Sequence, residues 1–312
     1  MKTRPTLSDS DLRLARIFRK IVECGGISAA EEYLGVGRST ISRQLQDFET
    51  RLGLILCERG RSGFRLTQAG EQTLQYIERL LAAVDDFTAN IAGLSANLEG
   101  KLNIGLIDCS FADPHNPIVT VFKHFRSSAP NVTLNVSVGS AKELERGVLN
   151  GVLHLAVVPE YWFNDELDYF LLYNESIGLF TGSNHEIAEL LRSGEPLTRA
   201  KVQQYPLIFR SSPEPPSLQR RKADFPRGPT IPDTEAVLSL VASGSYLGFL
   251  PTHLAASPLY DIIEILPDEY GYDMPIIIIS KKDRHHSIVL KHFLTLVGKV
   301  RSARKSVASR RN

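Results

Sequence analysis

Apolar residues near the start of the chain recur at helical spacing in short bursts. Leu12, Ala15, Ile17, Phe18, Ile21 and Val22 follow a period near 3.6 and predict an amphipathic helix ending before Gly25-Gly26. Ser28 is placed to cap a second helix over 29–34, and after Gly35-Val36-Gly37 a third begins at Arg38, with Ile41, Leu45 and Phe48 on one face. Two short helices joined by a tight glycine turn have helix-turn-helix spacing. Beyond Gly53, the run Glu58-Arg59-Gly60-Arg61-Ser62-Gly63-Phe64-Arg65-Leu66-Thr67 predicts a two-stranded hairpin with a basic tip, which is a wing.

The next stretch, 68–94, contains no proline. Its apolar residues Leu74, Ile77, Leu81, Val84, Ile91 and Leu94 are spaced 3, 4, 3, 7 and 3, close to an a/d seam with Thr88 at its polar position. A long helix with such a stripe predicts pairing with a second copy; packing against its own domain is the alternative. From Lys101 onward the pattern changes. Strand-like runs at 102–107, 132–138, 153–158, 177–181, 207–209, 247–250, 262–266 and 275–280 are interleaved with helix-like runs at 117–128, 141–150, 234–243 and 287–300. This alternation predicts an α/β fold. The Pro/Arg-rich run 211–232 reads as a mobile surface loop.

With 312 residues, 43% of them hydrophobic, the chain can build more than one core. No apolar run approaches the roughly 20 residues that span a bilayer, and residues 1–11 lack the apolar core of a signal peptide, so a cytoplasmic location is expected. Cys24, Cys57 and Cys109 form no CxxC pair, as free thiols in a reducing compartment would not. The net charge of +1 conceals an asymmetry: up to Arg65 there are 12 Lys/Arg against 8 Asp/Glu, so the remainder is acidic overall. The end, 299–312, has six Lys/Arg and no acid, and reads as a solvated, frayed terminus.

Arg38-Ser39-Thr40-Ile41-Ser42-Arg43-Gln44 places short hydroxyls and two guanidinium groups at the start and outer face of the third helix. Hydroxyls and a helix N-terminus suit phosphates, while Arg and Gln reach base edges in the major groove. Arg59, Arg61 and Arg65 on the wing would follow the backbone. Catalysis is not expected. Gly244-Ser245-Tyr246-Leu247-Gly248 is not a GxSxG elbow, HExxH, P-loop and GxGxxG runs are missing, and His285-His286 lack evident metal partners. The sequence therefore names no catalytic residue, no metal ligand and no cofactor.

Gly25-Gly26-Ile27-Ser28-Ala29-Ala30, Leu34-Gly35-Val36, Thr40-Ile41-Ser42-Arg43-Gln44-Leu45, Glu49, Leu52-Gly53, Glu58-Arg59 and Leu66-Thr67-Gln68-Ala69-Gly70 stand in the order and spacing of one family. The chain resembles the LysR-type transcriptional regulators. Weaker echoes, including Val241-Ala242-Ser243-Gly244-Ser245-Tyr246-Leu247-Gly248, extend the resemblance over nearly the whole length. It implies α/β overall: a helical winged helix-turn-helix (1–67), a linker helix that dimerises (68–98), and a periplasmic-binding-protein-like effector domain (99–312). That last domain has two α/β subdomains, 99–162 with 267–312, and 163–266, with a small-molecule effector in the cleft between.

The resemblance further implies a double-stranded DNA operator, a homodimer and homotetramer, and RNA polymerase as a further partner. Carried over residue by residue, Arg38, Ser39, Thr40, Ser42 and Arg43 become recognition-helix contacts, and Arg59, Arg61, Arg65 and Thr67 wing or backbone contacts. The sequence departs from the family at Gly37 (usually a capping Ser), Arg38 (often Gln), Glu31 (often Ala) and Cys57 (often Phe). Effector contacts are expected from Asp108, Cys109, Ser110, Ser140, Glu160, Arg210 and Asp233, with Thr234 beside the last. An acid at Asp108 disfavours a simple carboxylate there and gives neutral, cationic or bifunctional ligands equal weight. Cys109 is the lone thiol of this domain and cannot close an intradomain disulfide. The alternative is a DNA-binding regulator that answers to no ligand.

Overall fold

Glycines at helix ends and a few side-chain caps set the leading elements. The computed structural model describes residues 8–60, 63–93, 98–211, 214–282 and 286–308. Helix α1 (Asp9–Glu23) begins at Ser8, whose backbone N–H donates to the Asp11 carboxylate at 2.8 Å. Helices α2 (Ile27–Leu34) and α3 (Arg38–Leu52) end at Gly35 and Gly53, both left-handed. Helix α2 starts two residues earlier than the sequence suggests: Gly26 is its N-cap, and Ser28 is exposed within the first turn.

The apolar faces of these helices, Leu14, Phe18 and Ile21 with Ile41, Leu45 and Phe48, close one core. Strands β1 (Cys57–Gly60) and β2 (Gly63–Leu66) form an antiparallel hairpin with Cys57 opposite Leu66. Helix α4 (Gln68–Gly93) follows, and its Gly70 lies so close to the chain that a Cβ would fall 2.0 Å from the Leu56 carbonyl oxygen. Only glycine fits there. The proposed seam of α4 divides: Leu74, Ile77 and Leu81 pack into this first core, whereas Leu94 lies outside the described residues.

The chain forms two compact units, one built on Met1–Thr88 with Asn150–Val152 and the other on Ala89–Leu149 and Leu153–Asn312. The second unit contains β3 (Glu99–Leu106), α5 (Ile118–Ser128), β4 (Asn131–Val138), α6 (Ala141–Leu149), β5 (Leu155–Pro159) and β6 (Leu167–Gly182). Next come α7 (Glu186–Ser193), α8 (Arg199–Val202), β7 (Leu207–Arg210), α9 (Pro216–Lys222), β8 (Arg227–Ile231) and α10 (Thr234–Ala242). The last are β9 (Gly248–Pro251), β10 (Ile262–Ile265), α11 (Pro267–Tyr270), β11 (Tyr272–Lys281) and α12 (Ile288–Ala308). Among the described residues no helix is long and apolar enough to cross a membrane.

A seven-stranded sheet runs β10-β6-β11-β5-β3-β4, with β9 also paired to β6. Strand β3 is parallel to β4 and β5, while β11 is antiparallel to β5 and β6. The four consecutive isoleucines 276–279 of β11 are all buried, as a strand covered on both faces requires. The 16-residue β6 pairs with β11 over its first part and with β9 and β10 over its end. Separate apolar clusters lie around α5 and α12, and around β7, β9 and α10. Residues 211–232 are not a loop throughout: α9 starts with Pro216 in its first turn and buries Leu218 and Lys222 one turn apart, and β8 pairs parallel with β7.

Candidate functional site

In the first unit, the start of α3 gathers the chemistry. Arg38, Ser39, Thr40 and Arg43 are exposed and Ser42 is half-buried, while Ile41 and Leu45 anchor the opposite face. Neither the Arg38 nor the Arg43 side chain is ion-paired with a described residue. Gly37, the N-cap, has no side chain to meet the first N–H groups. Glu31 on α2 supplies it instead: its carboxylate accepts the Arg38 backbone N–H at 3.0 Å.

Arg65 is exposed on β2, Arg59 sits on β1, and Arg61 lies outside the described residues. The Thr67 hydroxyl donates to the Ile55 carbonyl at 2.7 Å and accepts the Gly70 N–H at 2.9 Å, so it caps α4 and holds the wing's root. Glu49 accepts the Leu56 and Cys57 N–H groups at 2.8 and 3.2 Å, fixing the approach to β1.

The second unit contains a cleft of about 210 Å³. It lies where β3, β4 and β5 end, against β6, β7, α9, α10, β9 and β11. Arg210, at the end of β7, lines it with no carboxylate partner among the described residues. The other cation, Lys222, is buried and pairs with Glu214 at 2.6 Å; burial lowers its pKa. Asp108 accepts both the backbone N–H and the hydroxyl of Thr234, the latter at 3.1 Å, and so fills the N-terminal end of α10.

Tyr161 and Tyr272 complete the wall. Burial pushes the Tyr161 hydroxyl up to about 12 and Tyr272 higher still, so both stay protonated donors. Glu175 on β6 is buried in the floor, and that burial raises its carboxyl to about 7, the neighbouring Asp113 adding to the shift. The set can hold a small polar molecule by one guanidinium and two phenols. It offers no nucleophile paired with a base.

The description "Bacterial regulatory helix-turn-helix protein, lysR family" matches residues 12–71, and "LysR substrate binding domain" matches residues 95–301. The chain belongs to the LysR family. This LysR-family chain is 35% identical over 293 residues to the HTH-type transcriptional activator BauR of Pseudomonas aeruginosa, covering 93% of this chain and 95% of that one. A second relative, the probable HTH-type transcriptional regulator LrrA of Synechococcus elongatus, is 26% identical and covers 84% of this chain and 85% of its own. Among solved structures, the LysR family regulator CbnR superposes with a TM-score of 0.67 at 20% identity, covering 93% and 99% of the two chains. CbnR bound to its target DNA gives 0.66 at 21%, with the same coverage. The LysR-family chain is a DNA-binding transcription regulator with an effector domain, not an enzyme.

Of the residues singled out in this LysR-family sequence for the effector, Asp108, Ser140, Arg210 and Asp233 line the cleft; Cys109, Ser110 and Glu160 do not. The chain turns left-handed at Cys109 (φ 58), which sends that side chain to an apolar cluster and buries Ser110, whose hydroxyl donates to the Ile107 carbonyl. Burial, with Asp108 beside it, pushes the Cys109 thiol up to about 11, which holds it protonated and weakly reactive at neutral pH. Ser140 is engaged with Glu143 in a capping box at the start of α6. Sequence reading missed Tyr161, Glu175, Lys222 and Tyr272. Glu175 and Tyr272 lie ahead of the strands predicted at 177–181 and 275–280, Tyr161 lies after the one at 153–158, and Lys222 falls within the run read as a loop, so no periodic pattern included them.

Proposed function

We propose that this regulator reads its operator with Arg38, Ser39, Thr40, Ser42 and Arg43, with Arg59, Arg61, Arg65 and Thr67 seating the hairpin and helix start on the phosphate backbone. The exposed, unpaired guanidinium pair at the start of α3 carries this reading. It acts in the cytoplasm as a homodimer joined through α4 and assembles as a homotetramer, with RNA polymerase as a downstream partner. The effector domain comprises residues 99–312, with subdomains 99–162 plus 267–312 and 163–266, and follows a linker over 68–98.

The effector is a small anion held by Arg210, with Asp108, Ser140 and Asp233 shaping the cleft around it. Asp108 has both of its carboxylate oxygens engaged with Thr234, so it no longer argues against a carboxylate ligand. The volume of the cleft favours a metabolite smaller than a drug-sized ligand.

One experiment tests both halves. Duplexes enriched from a random pool by binding to the wild-type chain serve as operator, and small organic acids are screened by thermal shift. Arg43→Ala is expected to lose about 1–3 kcal/mol of operator binding while keeping the acid-induced shift. Arg210→Ala is expected to do the reverse. Wild-type operator affinity in Arg43→Ala removes the recognition assignment; a chain whose stability and DNA affinity respond to no acid supports ligand-independent regulation.

A further inference from the structure

Beside the cleft floor, three ligand-type side chains from distant parts of the sequence converge. Asp113 follows β3, Glu175 lies on β6, and His253 sits in the turn after β9; one donor atom from each falls within 4.8 Å of the others. The side chains are 3%, 7% and 7% exposed, respectively. His253 Nδ1 stands 3.7 Å from Asp113 Oδ2 and 4.0 Å from Glu175 Oε1. Both of its ring nitrogens are buried and neither makes a well-formed hydrogen bond among the described residues, the backbone of Cys109 being the polar group that lies near enough to act on the ring. A buried imidazole ordinarily finds a partner on at least one nitrogen, and two buried carboxylates ordinarily need a cation.

We infer that Asp113, Glu175 and His253 form a binding site for a divalent first-row transition-metal ion. Around a tetrahedral ion with N and O ligands at about 2.0–2.1 Å, neighbouring ligand atoms stand roughly 3.3 Å apart. The observed separations of 3.7 and 4.0 Å from His253 Nδ1 exceed that by less than about 1 Å. The outer contacts are those of a metal centre: the other oxygen of Asp113 accepts the backbone N–H of His115 at 2.7 Å and faces its ring nitrogen at 3.0 Å, and Tyr173 donates to Glu175 at 3.2 Å. One imidazole with two carboxylates suits zinc, cobalt, nickel or manganese and not a thiolate-seeking ion. Bound there, the ion would tie the segments after β3 and β9 to β6. The site stands whether or not the cleft takes an anion.

The test uses the full chain, freed of metal by a chelator and titrated with Zn²⁺ or Co²⁺ against a chromophoric competitor. We expect saturable binding at one ion per chain, an X-ray absorption spectrum at the zinc edge with N/O scatterers including imidazole, and at least tenfold weaker binding in Asp113→Asn and His253→Gln. Absence of saturable binding by the wild-type chain overturns the site. Sulfur in the coordination shell, or unchanged affinity in both variants when circular dichroism shows them folded, overturns it equally. Should either variant fail to fold, the wild-type stoichiometry and absorption spectrum decide alone.

Discussion

Glu31 and Gly37, two positions at which the sequence reading finds departures from the pattern that the resemblance implies, are brought together by the structure. A glycine N-cap leaves the first amides of α3 without a side-chain acceptor, and the carboxylate of Glu31 reaches across from α2 to take the Arg38 N–H. Loss of a helix cap costs about 0.5–2 kcal/mol. Glu31→Ala should therefore lower the melting temperature of the chain, and adding Gly37→Ser should restore most of the loss; failure of the serine to rescue would show that Glu31 acts elsewhere. Asp11 gives a pH signature in the same unit. The Arg51 guanidinium, foremost, and Ser8 hold its carboxyl down at about 2. A folded value below the ordinary carboxylate value of about 3.9 means that the contribution is complete above that pH and lost as the pH falls toward 2. Acid titration followed by circular dichroism should show stability falling over this window in the wild type, and a flatter limb in Asp11→Asn.

Among the elements, α4 divides its apolar residues between two tasks. Leu74, Ile77 and Leu81 belong to the first core, which is the packing alternative that periodicity left open. Tyr76, Ala83, Phe87 and Ile91 are exposed, with Tyr76 and Phe87 each at 67%, and their spacing of 7, 4 and 4 keeps them on one side of the helix. That second stripe is the surface on which the proposed pairing through α4 would rest. Phe87→Glu should shift the chain to a smaller species in light scattering without loss of helicity; an unchanged mass would move the interface off α4. The same logic explains which elements were legible beforehand. Uniformly apolar strands such as β5 and β11, and helices with clean periodicity such as α1 and α3, announce themselves. The part of β6 ahead of Ile177 does not, because Asp168, Asn174 and Glu175 interrupt it, and α9 does not, because Lys222 lies on its buried face and proline and arginine dominate its surroundings. Charges that are buried in pairs or clusters carry no periodic signal, and in this chain they are what the cleft and its floor are made of.

At the scale of the whole molecule, charge and function are divided along the chain. The basic surplus lies ahead of Arg65 and the acidic balance behind it, so operator binding should weaken steeply as salt rises. Measured between 50 and 200 mM salt, a flat affinity would mean that the wing arginines do not engage phosphate. The cleft is a product of topology, assembled from residues between 107 and 274 that no local pattern groups together. Its mechanics follow from β6. A single strand serves both the β11 side and the β9/β10 side of the sheet, and its ladder with β11 shifts register between Ile276 and Ile277. The two sides of the cleft are thus joined by a continuous, inextensible ribbon with one built-in defect. That defect lies at Leu172, inside the β11 ladder and not at Ile177 where β6 passes on to β9 and β10, so pulling the two sides apart would first have to break the pairing of β6 with one of these strands.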